Sequence, residues 1–326
     1  MKQTLFILFF LTSKSAFAQV TFVIDNFSND YVGKLFIADT TKVFSKGWVA
    51  IFDKTSNRQL IKINSDELTF ELHKGKVLAN IRELPYGEQS QILHEDYNFD
   101  GKKDFAIMEG QKSCYHGPSF QIYLATDNGF KQSPEFSRLS QDYCGMFRTD
   151  PKTKTIHTMT KSGCCWHQFS EFKVKNNKPY PVKIVEEGLS TSGITWDYKE
   201  QNLVNGKMSE TTYQKLDLEE GKYDPILSFE IKNKKKMQIF KTGSTLYYVL
   251  TDADGKIELL YNGTFKYSGR DNNLSFTNHN TNYVINDDKI IIKTPNNNTY
   301  QLQALDNTRA GTLAKVKSLK AENIIP

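Results

Sequence analysis

The chain has 326 residues, of which 13% are aromatic and 24% charged, and a formal net charge of +5. This charge is too small to indicate a nucleic-acid-binding protein, and no run beyond the amino terminus is apolar for long enough to span a bilayer. The length exceeds what most single cores hold, so two domains are expected, and the richness in Tyr, Phe, Thr and Asn favours strands.

Residues 1–18 have the pattern of a secretory signal peptide. Lys2 is followed by an apolar run at 5–11, and Ala16 and Ala18 precede Gln19, before which cleavage is expected. The residue directly after the cleavage site is not a Cys, so no lipid anchor is indicated. The mature chain has 40 basic and 37 acidic residues, a net charge of +3. A periplasmic or secreted protein is therefore predicted.

Residues 19–217 are expected to form the first domain, because short apolar or alternating runs separated by turn residues predict an antiparallel meander. The predicted strands are residues 20–24, 34–37, 47–52, 60–63, 68–72, 76–81, 91–93, 105–108, 120–125, 155–160, 168–175, 181–185, 195–203 and 207–216. The last two flank Asn205-Gly206, a strong hairpin turn signal. An all-β fold is predicted.

A loop between two of these strands carries oxygen side chains in a calcium-binding pattern. They occupy its first, third, fifth and ninth positions, and Gly101 holds the sixth, where the backbone must turn sharply. These oxygen donors are Asp96, Asn98, Asp100 and Asp104. The sequence therefore predicts a structural Ca²⁺ site.

The predicted loop is not an EF-hand. Its twelfth position is Ile107, where a bidentate Glu would be needed. The backbone carbonyl of Lys102 is the natural further ligand, with water completing the coordination. The alternative is an ordinary turn, since Asp, Asn and Gly also gather there.

Four cysteines in an exported chain indicate two disulfides. Since a bond between adjacent residues strains the ring it closes, Cys114 and Cys144 are expected to pair with Cys164 and Cys165, in either order. A zinc site that uses the Cys114-x-His116 and Cys165-x-His167 pairs is the less favoured alternative.

Residues 218–225 are expected to form a linker, because the chain there is charged and contains Gly and Pro. Residues 226–326 then form a smaller β domain. Its predicted strands are residues 226–231, 237–241, 246–251, 256–261, 283–285, 289–293 and 300–304. Asp252-Ala253-Asp254-Gly255 is interpreted as a hairpin turn and not as a second ion site.

The run from about residue 84 to 185 resembles a known family. The motifs that carry the resemblance are Asp-x-Asn-x-Asp-Gly-x-x-Asp at 96–104, Tyr-x-Gly-Pro-Ser at 115–119 and Lys-Ser-Gly-Cys-Cys-Trp at 161–166. Together they resemble small bacterial periplasmic calcium-binding proteins with a β-propeller-like, FG-GAP-like fold. That group includes immunity proteins that inhibit lysozyme-like, peptidoglycan-cleaving effectors. The resemblance covers only the first domain, for which it implies this fold and a protein partner.

No catalytic motif was found in the sequence. There is no nucleophile elbow, zinc-protease helix or phosphate loop. Glu186 and Glu187 are adjacent in the sequence. In a strand the side chains of adjacent residues point to opposite faces, so these two cannot flank one glycosidic bond. Bridged cysteines cannot act as nucleophiles. A non-enzymatic function is therefore predicted.

The loop at 110–118 is the predicted partner-binding element. It carries Tyr115 and His116 and is tethered by Cys114, so it should lose little freedom on binding. We expect Tyr115 and His116 to enter the cleft of a lysozyme-like enzyme; the alternative is that Tyr115 packs under the loops against Trp166.

Two other functions stay open: a non-catalytic envelope module binding glycan or protein through the second domain, and inhibition by that domain alone.

Overall fold

The structure, a computed structural model, describes residues 19–82, 90–219 and 221–325. The predicted signal peptide at 1–18 lies outside the described residues. Almost all regular structure is antiparallel strand, so the all-β prediction is confirmed. Within the described ranges, no helix is both long and apolar enough to cross a membrane.

The first half of the chain forms two four-stranded sheets and one short helix. In chain order the elements are β1 (Val20–Ile24), β2 (Tyr31–Ile37), β3 (Ser45–Asp53), β4 (Gln59–Leu68), β5 (Ile92–Glu95), β6 (Asp104–Ser113), β7 (Gly117–Thr126), β8 (Gly129–Ser133) and α1 (Pro134–Gln141). The sheet orders are β1-β2-β3-β4 and β5-β6-β7-β8. Each sheet is therefore a simple meander, as the predicted alternation of apolar runs and turn residues requires.

The remaining strands form three larger sheets. They are β9 (Arg148–Asp150), β10 (Thr155–Ser162), β11 (Trp166–Lys175), β12 (Lys178–Leu189), β13 (Thr195–Val204), β14 (Lys207–Leu216), β15 (Asp224–Ile231), β16 (Lys235–Thr242), β17 (Thr245–Thr251), β18 (Ile257–Tyr261), β19 (Phe265–Ser268), β20 (Asn273–Asn278), β21 (Thr281–Ile285), β22 (Lys289–Lys293), β23 (Thr299–Gln303), β24 (Ala310–Gly311) and β25 (Ile324–Ile325). The sheet orders are β14-β13-β12-β11-β10-β9, β18-β17-β16-β15-β24 and β23-β22-β21-β20-β19-β25. The β-propeller-like arrangement of the first domain stays a prediction.

The first two sheets share one apolar core. Alternate residues of β2 and β3, such as Leu35, Ile37 and Val49, are fully buried. The sheets approach so closely that a side chain at Gly33 would place its Cβ 2.3 Å from Ile92 Cδ1. A larger residue at position 33 would therefore need the Ile92 side chain to move.

Helix α1 completes the hydrogen bonding of β7. Strand β8 pairs with β7 only as far as Ile122, opposite Ser133. Beyond that point, the Ile122 N–H donates to Ser137 Oγ at 2.9 Å and the Phe120 N–H donates to Ser140 Oγ at 2.9 Å. Two serines of the helix thus accept the bonds that a longer β8 would have taken.

The predicted strand at 76–81 is wrong. Only an isolated bridge between His73 and Lys76 forms there. The Ala79 N–H donates to Asn26 Oδ1 at 3.1 Å and the Ile81 N–H to Ser90 Oγ at 2.8 Å. Side chains therefore take two of the hydrogen bonds that a neighbouring strand would take, and the Asn80 N–H donates to the Ile92 carbonyl at 3.0 Å. The predicted strand at 60–63 is confirmed within β4, which pairs with β3 and ends at Leu68. The predicted strand at 68–72 is wrong, because residues 69–72 form no strand.

The chain divides into two compact units by its internal contacts. The first comprises the described residues up to 162, with 167–184 and 203–207; the second comprises 163–166, 185–202 and the described residues from 208 onward. This division does not follow the predicted linker at 218–225. The reason lies in the second unit, where Leu216 and Leu218 pack with Phe240 and Val249 in a small apolar cluster, so the end of β14 is part of that unit.

Candidate functional site

The predicted calcium loop connects β5 to β6. The two strands meet at its base, where Glu95 pairs with Asp104. Phe99 has φ 63° and Gly101 has φ 89°, both in the left-handed region. Glycine adopts this conformation without strain, so the sharp turn expected at the sixth loop position is present.

Three oxygen-bearing side chains of the loop accept hydrogen bonds from its backbone amides. The Asp100 N–H donates to Asp96 Oδ1 and to Asn98 Oδ1, each at 3.2 Å. The Gly101 N–H donates to the second oxygen of Asp96 at 2.8 Å, and the Lys102 N–H to Asp100 Oδ1 at 2.8 Å. The first, third and fifth positions are therefore held on one side of the loop by the backbone.

Asp104 is fully buried behind the loop. Its Oδ2 accepts the Tyr97 N–H at 2.8 Å and its Oδ1 accepts the Ala125 N–H at 2.8 Å, so the carboxylate ties the loop to β7. Burial raises the pKa of Asp104 to about 6, and the nearby Asp100 and Asp96 charges act in the same direction. The loop thus concentrates negative charge where a cation would relieve it.

The donor types fit calcium, since every ligand candidate of the loop is an oxygen. The Lys102 ammonium points away, to Asp127 Oδ1 at 2.7 Å, which leaves only its backbone carbonyl for an ion. Among the residues that the structure describes, however, no group of three or more His, Cys, Asp or Glu side chains is close enough to hold a metal ion. Calcium binding would need the Asn98 amide oxygen and the Lys102 carbonyl, and the site stays a prediction.

Replacing Asp104 with asparagine is expected to lower the free energy of unfolding by about 1–3 kcal/mol, even in excess chelator. The reason is that an amide NH₂ would then face one of the two buried N–H donors. Urea unfolding of Asp104→Asn measures the loss. Asp127→Asn, at a carboxylate with 91% of its side chain exposed, is the control and should change stability little. Equal stability of the Asp104 variant and the wild type would contradict this role.

The predicted binding tip follows β6 as a short 3-10 turn, Cys114–His116. Tyr115 has φ 53° and His116 has φ 59°, a backbone conformation that non-glycine residues keep only when the surroundings hold them. A disulfide between Cys114 and Cys144 supplies that support. The Tyr115 side chain is 54% exposed, so the alternative that it is buried under the loops is wrong.

Other side chains extend the tip into a surface that sequence reasoning missed. The Phe44 ring meets His116 edge-on at 5.1 Å between centroids, and Lys161 Nζ lies 5.2 Å from the centre of the Tyr115 ring. Phe44 is 41% exposed, and its neighbour Val43 is 76% exposed. We call Val43, Phe44, Tyr115 and His116 the tip surface. An apolar pair within the polar stretch 40–46 was the available signal.

The predicted disulfide pairing is wrong. Cys114 bonds to Cys144, and Cys164 bonds to its neighbour Cys165. The Cys144 N–H donates to Met159 O on β10 at 2.7 Å, and the Gly145 N–H donates to the Ser113 hydroxyl at the end of β6 at 3.2 Å. These two hydrogen bonds hold the 144 segment beside Cys114. The adjacent pair closes its ring within the turn between β10 and β11. With their sulfurs bridged, the cysteines cannot supply the thiolates of the alternative zinc site.

Comparison with known proteins gives no family. No family model matches the chain, and no curated protein matches it. Among solved structures, a Xanthomonas type IV secretion system related protein is 18% identical with a TM-score of 0.45, over 58% of this chain and 92% of that chain. Prolyl oligopeptidase B from Galerina marginata is 8% identical with a TM-score of 0.26, over 89% of this chain and 42% of that chain. Likenesses this low assign no function.

Proposed function

We propose that the protein is an exported, calcium-binding inhibitor of the immunity type, which binds a lysozyme-like, peptidoglycan-cleaving enzyme. One observation carries the proposal: an aromatic tip that is both exposed and rigid. Tyr115 projects from a turn held by the Cys114–Cys144 disulfide. A turn that is already tethered loses little conformational freedom on binding, which favours affinity.

The chemistry of the tip surface suits an enzyme cleft. Tyrosine is enriched among the residues that dominate binding energy, and Phe44 and Val43 add apolar area beside it. Lys161 places a positive charge over the Tyr115 ring. Glycosidases of the lysozyme type use a pair of carboxylates, so a tip with an adjacent cation complements their cleft.

The calcium loop would act as scaffold in this proposal. It lies at the beginning of β6, and the tip lies at the end of the same ten-residue strand. At about 3.3 Å per residue the two ends are about 30 Å apart, too far for an ion to touch a partner bound at the tip. An ion in the loop would instead fix the first residue of the strand that carries the tip.

The test is a peptidoglycan hydrolysis assay with the mature protein. Purified lysozyme-type muramidases digest a peptidoglycan suspension while the protein is added in rising amounts. The proposal expects the loss of turbidity to stop for at least one enzyme at an equimolar ratio. Full activity of every enzyme with the protein in excess would contradict the proposal. Sedimentation of the protein with peptidoglycan alone, without inhibition, would favour the envelope module.

A further inference from the structure

A recess of about 690 Å³ lies wholly within the second compact unit. Its lining includes Trp166, Glu187, Tyr198, Tyr213, Gln214 and Ile257, and we call it the aromatic cleft. These residues come from β11, β12, β13, β14 and β18. The volume is within the range of small-molecule sites, and the mixture of aromatic and polar lining is typical of them.

Two tyrosines form one wall of the aromatic cleft. The rings of Tyr198 and Tyr213 stack with 5.0 Å between centroids and an angle of 7°. Lys256 Nζ lies 4.3 Å from the centre of the Tyr213 ring, and Lys215 Nζ lies within 6 Å of both rings, at 5.8 and 5.9 Å. The chain's own cations already lie at these aromatic faces, so a cationic ligand would be repelled from them.

The charged side chains around the cleft balance one another. Glu186, Glu187 and Asp197 contribute three carboxylates, and Lys199 contributes an ammonium beside those of Lys215 and Lys256 at the tyrosine rings. Gln214 Nε2 donates to Asp197 Oδ1 at 2.6 Å. Burial, together with the charge and the hydrogen bond of Glu187, raises the pKa of Tyr198. A neutral ligand with many hydroxyl groups matches this combination of donors and acceptors.

The Trp166 wall is fixed by the adjacent disulfide. Trp166 directly follows the Cys164–Cys165 pair, and the Cys165 carbonyl accepts the Leu189 N–H at 3.1 Å. Gly188 offers no side chain, and a Cβ there would lie 3.7 Å from Trp166 Cδ1. The indole therefore lies next to the backbone of Gly188 on β12.

From these features we infer that the aromatic cleft binds a neutral carbohydrate chain. A pyranose ring has one face of C–H groups, which packs on an indole such as that of Trp166, and an equator of hydroxyls, which hydrogen-bond to carboxylates and amides. The inference does not rest on the inhibitor proposal, because the tip surface belongs to the first compact unit.

The experiment is a calorimetric titration of the full mature protein with neutral hexasaccharides: hexa-N-acetylchitohexaose, cellohexaose and maltohexaose. The fully deacetylated, cationic chitosan hexamer is the matched ligand control, since it shares the chitohexaose backbone. Binding of at least one neutral hexasaccharide is expected. No binding of any of the three, or tighter binding of the chitosan hexamer, would overturn the inference.

Variants locate the binding. Tyr198→Ala and Trp166→Ala are each expected to weaken it tenfold or more. Tyr300→Ala removes a tyrosine of the same unit that is 53% exposed and outside the cleft, so it should bind as the wild type does. Circular dichroism confirms that each variant is folded. Undiminished binding by folded Tyr198→Ala and Trp166→Ala would place the sugar elsewhere and overturn the assignment.

Discussion

Replacing Tyr115 with alanine is expected to raise the amount of protein needed to halve peptidoglycan hydrolysis by about 30-fold or more. This corresponds to about 2 kcal/mol, the lower bound for a residue that dominates an interface. The reason is that Tyr115 is the largest exposed side chain of the tip surface and is already held in place by its turn. Truncation would remove contact area from the interface, with no compensating gain in conformational freedom.

The matched control for this prediction is Tyr180→Ala. Tyr180 is 37% exposed and lies on β12, away from the tip segment in sequence, so its loss should leave inhibition unchanged. Phe44→Ala should fall between the two, because the ring contacts His116 from the side. Unchanged inhibition by a folded Tyr115→Ala variant would exclude the tip as the binding element.

Removing the Cys114–Cys144 disulfide is expected to lower the free energy of unfolding of the first compact unit more than Asp104→Asn does. The bond joins residues separated by 30 positions, for which the chain-entropy model gives about 3–4 kcal/mol. Urea unfolding of the Cys114→Ser, Cys144→Ser double variant measures it. Inhibition should weaken as well, because the turn at 114–116 would lose its tether.

The second disulfide provides the control. Cys164 and Cys165 are adjacent, so their bond closes almost no chain and should contribute little to the unfolding free energy. The Cys164→Ser, Cys165→Ser double variant is therefore expected to unfold near the wild-type urea concentration. Equal losses in the two double variants would contradict the entropic account of the first bond.

Local patterns predicted much of the fold from the sequence. The Asn205-Gly206 turn and the alternation beside it identified the β13–β14 hairpin, which the structure confirms. The strand at 105–108 was predicted too short, because β6 continues through Glu109 and Gln111 to Ser113. The Glu109 carboxylate is buried and accepts hydrogen bonds from Gln121 and Gln141. Such partners come from distant segments and are not visible in a local pattern.

Helix α1 was missed although the sequence carried a signal for it. Pro134 stands at its first turn, and Ser133 Oγ accepts the Phe136 N–H at 3.4 Å as an N-cap. The signal is weak because the helix has only eight residues, two turns, which is too short for a clear apolar period.

For the candidate sites too, a local sequence pattern does not show which distant segments meet. The oxygen spacing from Asp96 to Asp104 is local, and the structure places these residues in one loop. Cysteine pairing and the aromatic cleft depend on which distant segments meet. Trp166, Tyr198 and Tyr213 are brought together only by the paired strands of the second unit. No spacing rule on a single sequence identifies such a set.

The central claim is that the loop at 96–104 binds calcium and stiffens the scaffold. The most direct test is the calorimetric melting temperature of the mature protein with excess Ca²⁺ and with excess EDTA. At a calcium concentration 100 times the dissociation constant, stabilisation of about 2.7 kcal/mol is expected. We expect the melting temperature of the wild type to be higher in Ca²⁺ than in EDTA, and that of Asp100→Ala to be the same in both. The same midpoint in Ca²⁺ and EDTA for the wild type would contradict it.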